Sequence, residues 1–290
     1  MKLTEVLFAC LTLLLIAGCD LINPEEELPI YIEVSEARVQ VRPGGSERSN
    51  IAIKDIWLDQ GPDFAGVYEI PFTIPVYPGD FNRFLFAPGI VESGLSIARS
   101  RYLFLQSELT EINVEPLDTF RYIPEFQYLP VDTIIKFPFE EYFEDGSSDF
   151  ANLLTSPSST IIRISSVSPF QGRRCGQVEF GSNTFELLTA TNIAFPLPQT
   201  GARSTFAEIT YRGTVPFQVG LIVETTTREF IPKNIVFRPR EDWTQIYVNL
   251  TDEVRALSGV TQFRLYIQAN TDGLPGDLFL DNVRIVHDLI

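Results

Sequence analysis

The sequence predicts an all-β chain, arranged as two β-sandwich domains, and three observations carry that reading. Twenty prolines and eighteen glycines punctuate its 290 residues. Between them, short runs alternate apolar and polar residues with period two, the mark of half-buried antiparallel strands. Beyond the N-terminal apolar run, no stretch shows the 3.6-residue period of a helix, apart from a turn near Thr251 to Leu257. Many short strands at close spacing belong to sandwiches and jelly rolls.

The first element is a leader. Val6 to Ile16 is apolar except for Thr12, behind Lys2 and Glu5. A bilayer-spanning helix needs about 20 apolar residues, so this run is too short to span and fits a cleaved signal peptide. Leu15-Ile16-Ala17-Gly18-Cys19 resembles the lipobox of bacterial lipoproteins. The resemblance implies removal of residues 1–18 and lipid on Cys19. Two or more acyl chains anchor a protein far more firmly than one. Residues 19–28, Cys-Asp-Leu-Ile-Asn-Pro-Glu-Glu-Glu-Leu, read as a polar tether. The cluster Glu25, Glu26 and Glu27 resembles the acidic surface-export signal of Bacteroidetes lipoproteins; the alternative is that it only keeps the tether solvated. The implied address is the outer membrane, exposed at the cell surface.

Composition narrows the partners. With 22 Lys and Arg against 38 Asp and Glu, the formal charge is −16, which argues against nucleic acid and against adhesion to anionic headgroups by charge alone. Of three cysteines, Cys10 leaves with the leader and Cys19 carries lipid. Cys175 is then alone, so the fold relies on its core rather than on an intrachain disulfide.

Residues 29–126 hold the first domain. Within "IKDIWLDQGPDFAGVYEIPFTIPVYPGDFNRFLFAPGIVESGLSIARSRYLF" short strands end at glycine turns and prolines, the rhythm of a small sandwich. This half resembles the prealbumin-like domains, kin of carboxypeptidase regulatory domains, of Bacteroidetes surface lipoproteins. Such domains act as spacers, and no site transfers. Trp57 shares parity with Ile51 and Ile53, so it is expected in the core. Residues 127–138, with Tyr128-Leu-Pro-Val-Asp-Thr and Lys136-Phe-Pro138, are expected to link the halves.

Residues 139–290 form the second domain. Alternation puts Phe217, Val219, Leu221 and Val223 on one face of a strand, Ile246, Val248 and Leu250 on another, and Phe263, Leu265, Ile267 and Ala269 on a third. "FEEYFEDG", "RRCGQVEF", "DWTQIYVNL" and "GDLFLDNVRIV" resemble the galactose-binding-like jelly rolls that include many carbohydrate-binding modules. In that family the first and last strands lie side by side and often hold a structural calcium. Asp281, sharing parity with Phe279, Val283 and Ile285, is expected to face inward. A buried carboxylate needs a partner, and Glu144, Asp145 and Asp281 are the candidate Ca²⁺ ligands; the alternative is that Asp281 caps backbone amides. A sugar site needs aromatic faces and fixed polar groups, and Tyr247, Arg264, Tyr266 and Gln268 stand opposite the core positions. Trp243 is expected to pack beneath a loop, and Cys175 to be a buried core residue despite Arg173 and Arg174 beside it.

Enzymatic chemistry finds little support. His287 is the sole histidine, close to the C-terminus, and metalloprotease, phosphate-loop and dinucleotide motifs are missing. A glycosidase needs only two carboxylates, and the acidic residues leave that option open without singling out a pair. The expected function is therefore non-catalytic capture of a glycan or other extracellular ligand by the second domain. The rival is an accessory subunit of an envelope machine of the gliding or secretion type.

Overall fold

The computed structural model describes residues 27–40, 53–77, 81–95, 97–224, 228–257 and 259–289. Cys19, Glu25, Glu26 and the apolar leader lie outside them. Among the described residues no helix is long and apolar enough to cross a membrane. The described residues are all-β apart from one short helix.

The N-terminal half builds β1 (Ile30–Val34), β2 (Arg38–Val39), β3 (Asp55–Gln60), β4 (Asp63–Glu69), β5 (Phe72–Val76), β6 (Arg83–Val91), β7 (Arg99–Arg101), β8 (Glu108–Glu111), β9 (Thr119–Tyr122) and β10 (Glu125–Phe126). One sheet runs β5-β1-β9; a second runs β4-β3-β6, with β7 and β8 both pairing β6; β2 and β10 make a small parallel ribbon. Alternation drives the packing. Ile30, Ile32 and Val34 point into the same core as Ile56, Leu58, Phe84 and Phe86, while the residues between them face outward.

The C-terminal half builds β11 (Ile135–Glu141), β12 (Phe150–Asn152), β13 (Arg163–Ser165), β14 (Cys175–Phe180), β15 (Glu186–Thr191), β16 (Thr205–Gly213), β17 (Phe217–Glu224), β18 (Arg228–Phe237), β19 (Arg240–Asn249), α1 (Thr251–Arg255), β20 (Phe263–Asn270) and β21 (Gly276–Asp288). Two antiparallel sheets face each other: β13-β14-β21-β16-β19, with β11 on β21, and β12-β15-β20-β17-β18. Between them lie the three rows expected from alternation, on β17, on β20 and along Ile246, Val248 and Leu250. The expected turn near residue 251 is α1, with Val254 buried against that core.

The two halves share more than a linker. Residues 127–138 are packed rather than free, with Tyr128 and Ile135 buried in the first core. Phe206, Tyr247 and Val286, on the outer face of the β16–β19–β21 sheet, join that same core. At its centre Arg284 is paired with Glu208, at 2% and 0% exposure respectively. Tyr102 from the first half and Tyr128 from the connecting segment donate their hydroxyls to Glu208, and Arg284 donates to Tyr128. The guanidinium also lies 5.2 Å from the ring centres of both Tyr128 and Phe137. Burial raises the phenols of Tyr102 and Tyr128 well above their usual range, and Glu208 adds to the shift. Burial opposes the charge on Arg284, but Glu208 and the tyrosines outweigh it and hold the guanidinium protonated.

Leaving one member of a buried pair alone strands an uncompensated charge, at a cost of about 3–5 kcal/mol. Arg284→Met should therefore lower the unfolding free energy by that amount, read as a shift of the urea midpoint. Tyr128→Phe, which removes one hydroxyl from the charged pair, should cost about 1.5–3 kcal/mol. An unchanged midpoint in both would show that the pair contributes nothing.

Candidate ligand-binding face

With one sheet of the second domain covered by the first, the β12-β15-β20-β17-β18 sheet keeps its outer face open. Positions alternating with the core rows line it. The register sets Leu188 beside Gln268, Gln268 beside Gln218, and Gln218 beside Val236, so four strands contribute one cross-strand row. Gln268 Nε2 donates to Gln218 Oε1 at 2.7 Å. This row floors a groove of about 490 Å³ whose lining also includes Glu186, Asn270 and Leu154. Glu186 Oε2 accepts from Ser158 Oγ at 2.8 Å, which fixes the carboxylate at the groove's end. Side-chain amides supply both donors and acceptors, and Leu188 and Val236 supply apolar surface for C–H groups.

Along the same face Tyr266 lies across Gly220. A Cβ there would come within 2.6 Å of the tyrosine ring and 2.4 Å of the Ile231 carbonyl oxygen, so only glycine admits the ring. Phe230 meets Tyr266 edge-on at 5.4 Å.

The four expected sugar contacts therefore separate. Arg264, Tyr266 and Gln268 do share the open face of β20, but only Gln268 lines the groove. Arg264 spends its Nε on the Thr191 carbonyl oxygen. Tyr266 is 2% exposed and packs with Ala190 and Ile222, so it supports the surface rather than offering a stacking platform. Tyr247 sits on the opposite sheet, with its ring 4.9 Å from that of Tyr102 and its carbonyl oxygen accepting from Ser93 N at 2.6 Å. The first domain buries it. Gln218, Glu186, Asn270, Leu188 and Val236 escaped the sequence reading because their proximity depends on strand pairing.

The carboxylates expected to cage calcium act as loop clasps instead. Glu144 Oε1 accepts from the amides of Arg173 and Arg174 at 2.8 and 3.0 Å, and Asp145 Oδ1 accepts from Ser147 N at 3.0 Å. Asp281 accepts from Asn282 N at 2.8 Å and Gln171 N at 3.2 Å, close to the capping role held as its alternative. Among the described residues no three His, Cys, Asp or Glu side chains are placed to hold a metal ion, so this donor set does not fit Ca²⁺. Asp281 is buried as expected, at 0% exposure, but the parity expected for it fails. Leu278 and Leu280 face the core, as do Val283 and Ile285, because a register shift and a left-handed Asn282 (φ 48°) interrupt β21 between them.

Trp57 is likewise not in the core. Ile56 and Leu58 point inward, which turns Trp57 out, half-buried over Gly89, 5.8 Å from Phe64 and beneath the guanidinium of Arg101 at 5.5 Å. Trp243 meets expectation: its Nε1 donates to the Ser168 carbonyl oxygen at 3.0 Å, and its ring neighbours Phe170. Cys175 is fully buried, and burial, with Asp281 nearby, pushes its thiol up to about 11.

No protein-family model and no curated protein matches this chain. Solved structures offer distant likenesses. A CBM22-1 xylan-binding domain from Paenibacillus barcinonensis Xyn10C is 12% identical with a TM-score of 0.36, over 52% of this chain and 93% of its own. A family 22 carbohydrate-binding module of Clostridium thermocellum Xyn10B is also 12% identical, at a TM-score of 0.37, over 51% and 91%. A module from the β-sandwich superfamily of carbohydrate-binding modules is 14% identical, at 0.39, over 90% and 99%. At these scores the likeness carries nothing about a ligand.

The thiolate is the reactive form of cysteine, so Cys175 should resist modification. In a chain carrying Cys10→Ser and Cys19→Ser, a maleimide at pH 8 should label Cys175 only after denaturation. Rapid labelling of the native chain would contradict its burial and raised pKa.

Proposed function

We propose that the chain is a non-catalytic binding protein, held at a membrane by lipid on Cys19, that captures a neutral glycan in the groove floored by Gln218 and Gln268. The observation that carries the reading is the paired-amide groove itself. Its polar groups are held in place by one another, and its apolar strips flank them as the alternating C–H and O–H faces of a sugar require. Glu186 and the chain's net charge of −16 disfavour acidic polysaccharides.

A second reading, an accessory subunit of an envelope assembly, draws support from the first domain's outer sheet face. There Phe64, Val67 and Leu109 stand exposed, the first two beside Trp57, and grouped apolar side chains mark protein contacts when they form a continuous patch.

Affinity electrophoresis in gels containing xylan, β-glucan or galactan separates these readings. Gln218→Ala with Gln268→Ala should abolish the retardation of the lipid-free chain, a loss of at least about tenfold for two hydrogen-bonding groups, without changing its melting temperature by more than a few degrees. Retardation that survives the double substitution would place the site elsewhere, and none in any gel would favour the assembly reading.

A further inference from the structure

The first domain, read from sequence as a spacer, contains a cleft of its own. It has a volume of about 450 Å³ and opens between β8 and the β9–β10 segment, lined by Gln106, Glu108, Tyr122, Glu125 and Gln127 among others. That volume falls within the span of about 300–1,000 Å³ usual for small-ligand sites. Its polar groups are wired together. Glu108 Oε2 accepts from the Tyr122 hydroxyl at 2.6 Å and from Glu125 N at 3.1 Å. Gln127 Nε2 donates to Gln40 Oε1 at 3.0 Å, and Gln40 Nε2 donates in turn to Glu125 Oε2. Phe86 and Phe120 hold the Tyr122 ring, at 4.8 and 5.6 Å between centres.

We infer that this cleft is a second binding site, for a saccharide unit that carries no negative charge. Two carboxylates held by donors on one side, with amides beside them, form an acceptor-rich wall with fixed positions, and sugar hydroxyls are the donors that such a wall recognises. Thr110 Oγ1 also donates to the Tyr122 hydroxyl, at 3.2 Å, so that oxygen is oriented from two sides. Among the described residues no Lys or Arg lines the cleft. Arg38 stands at the rim, more than half exposed and 3.9 Å from Glu125, where solvent screens it. An anionic sugar would therefore meet Glu108 and Glu125 with no Lys or Arg among the described lining residues beside them, at a cost like that of any close like-charge pair. A neutral or amine-bearing sugar meets no such cost. Gln106 makes its backbone contact to Gln127 through its own amide N–H, which leaves its exposed side chain at the mouth for the ligand.

This inference is independent of the groove reading, because the two sites lie in different domains. The test uses the full chain with Cys19→Ser to remove the lipid and Gln268→Ala to disable the groove. Amide chemical shifts are followed by NMR while cellobiose, maltose, lactose, glucosamine and glucuronate are titrated in. Saturable shifts at Gln106, Glu108 and Gln127 are expected with at least one of the four sugars that lack negative charge, and none with glucuronate. Gln106→Ala, an exposed change that spares the fold, should weaken the effect by about threefold to tenfold, the worth of one hydrogen bond. A stronger response to glucosamine than to its neutral counterparts would assign the carboxylates an ionic role. Shifts with none of the four, equal shifts with glucuronate, or undiminished binding in Gln106→Ala would each overturn the inference.

Discussion

The buried pair of Arg284 and Glu208 constrains the rest of the molecule. Two opposite charges withdrawn from water cost several kcal/mol each, and close contact repays this only when the remaining hydrogen-bonding capacity is also met. In this chain part of that capacity, on Glu208, is met from outside the second domain. The hydroxyls on Glu208 come from Tyr102 and Tyr128, residues of the first half and of the connecting segment. These two hydroxyls tie the first domain and the connecting segment to the β16–β19–β21 sheet, and Phe206, Tyr247 and Val286 fill the apolar surround. The connecting segment is held to the same core through Tyr128 and Ile135. A polar network of this kind favours one relative placement of the domains over others, because a shifted interface would withdraw the Tyr102 and Tyr128 hydroxyls from Glu208.

That arrangement also assigns the faces of the second domain. Of its two sheets, one is spent on the interface, and the other presents Leu188, Gln268, Gln218 and Val236 to solvent. The groove itself is built by the second domain alone. Its floor is made of amides rather than aromatic rings, so it would read a sugar mainly through hydroxyl geometry. Tyr266 and Phe230 lie further along the face, where the first fills the space over Gly220.

Much of the architecture was legible because three strands run without interruption. On β17 and β20, and from Ile246 to Leu250, period two assigned every inward side chain. It failed where the period is broken or its origin is wrong. Asn282 inserts a shift into β21, so Asp281 was counted on the wrong face. Trp57 was counted from Ile51 and Ile53, yet β3 begins at Asp55 and the inward positions are Ile56 and Leu58. Tyr247 was correctly turned away from its own sandwich, but outward from one domain proved to be inward to another, a fact that alternation cannot encode. The groove was half legible: Gln268 followed from parity, while Gln218 and Glu186 needed the register that joins β15, β20 and β17.

Scanning calorimetry of residues 27–290 tests the coupling between the domains most directly. If the Arg284–Glu208 network makes them one cooperative unit, heating should give a single endotherm whose calorimetric and van't Hoff enthalpies agree. Two resolved transitions, or a van't Hoff enthalpy near half the calorimetric value, would show the domains unfolding independently and would contradict the lock.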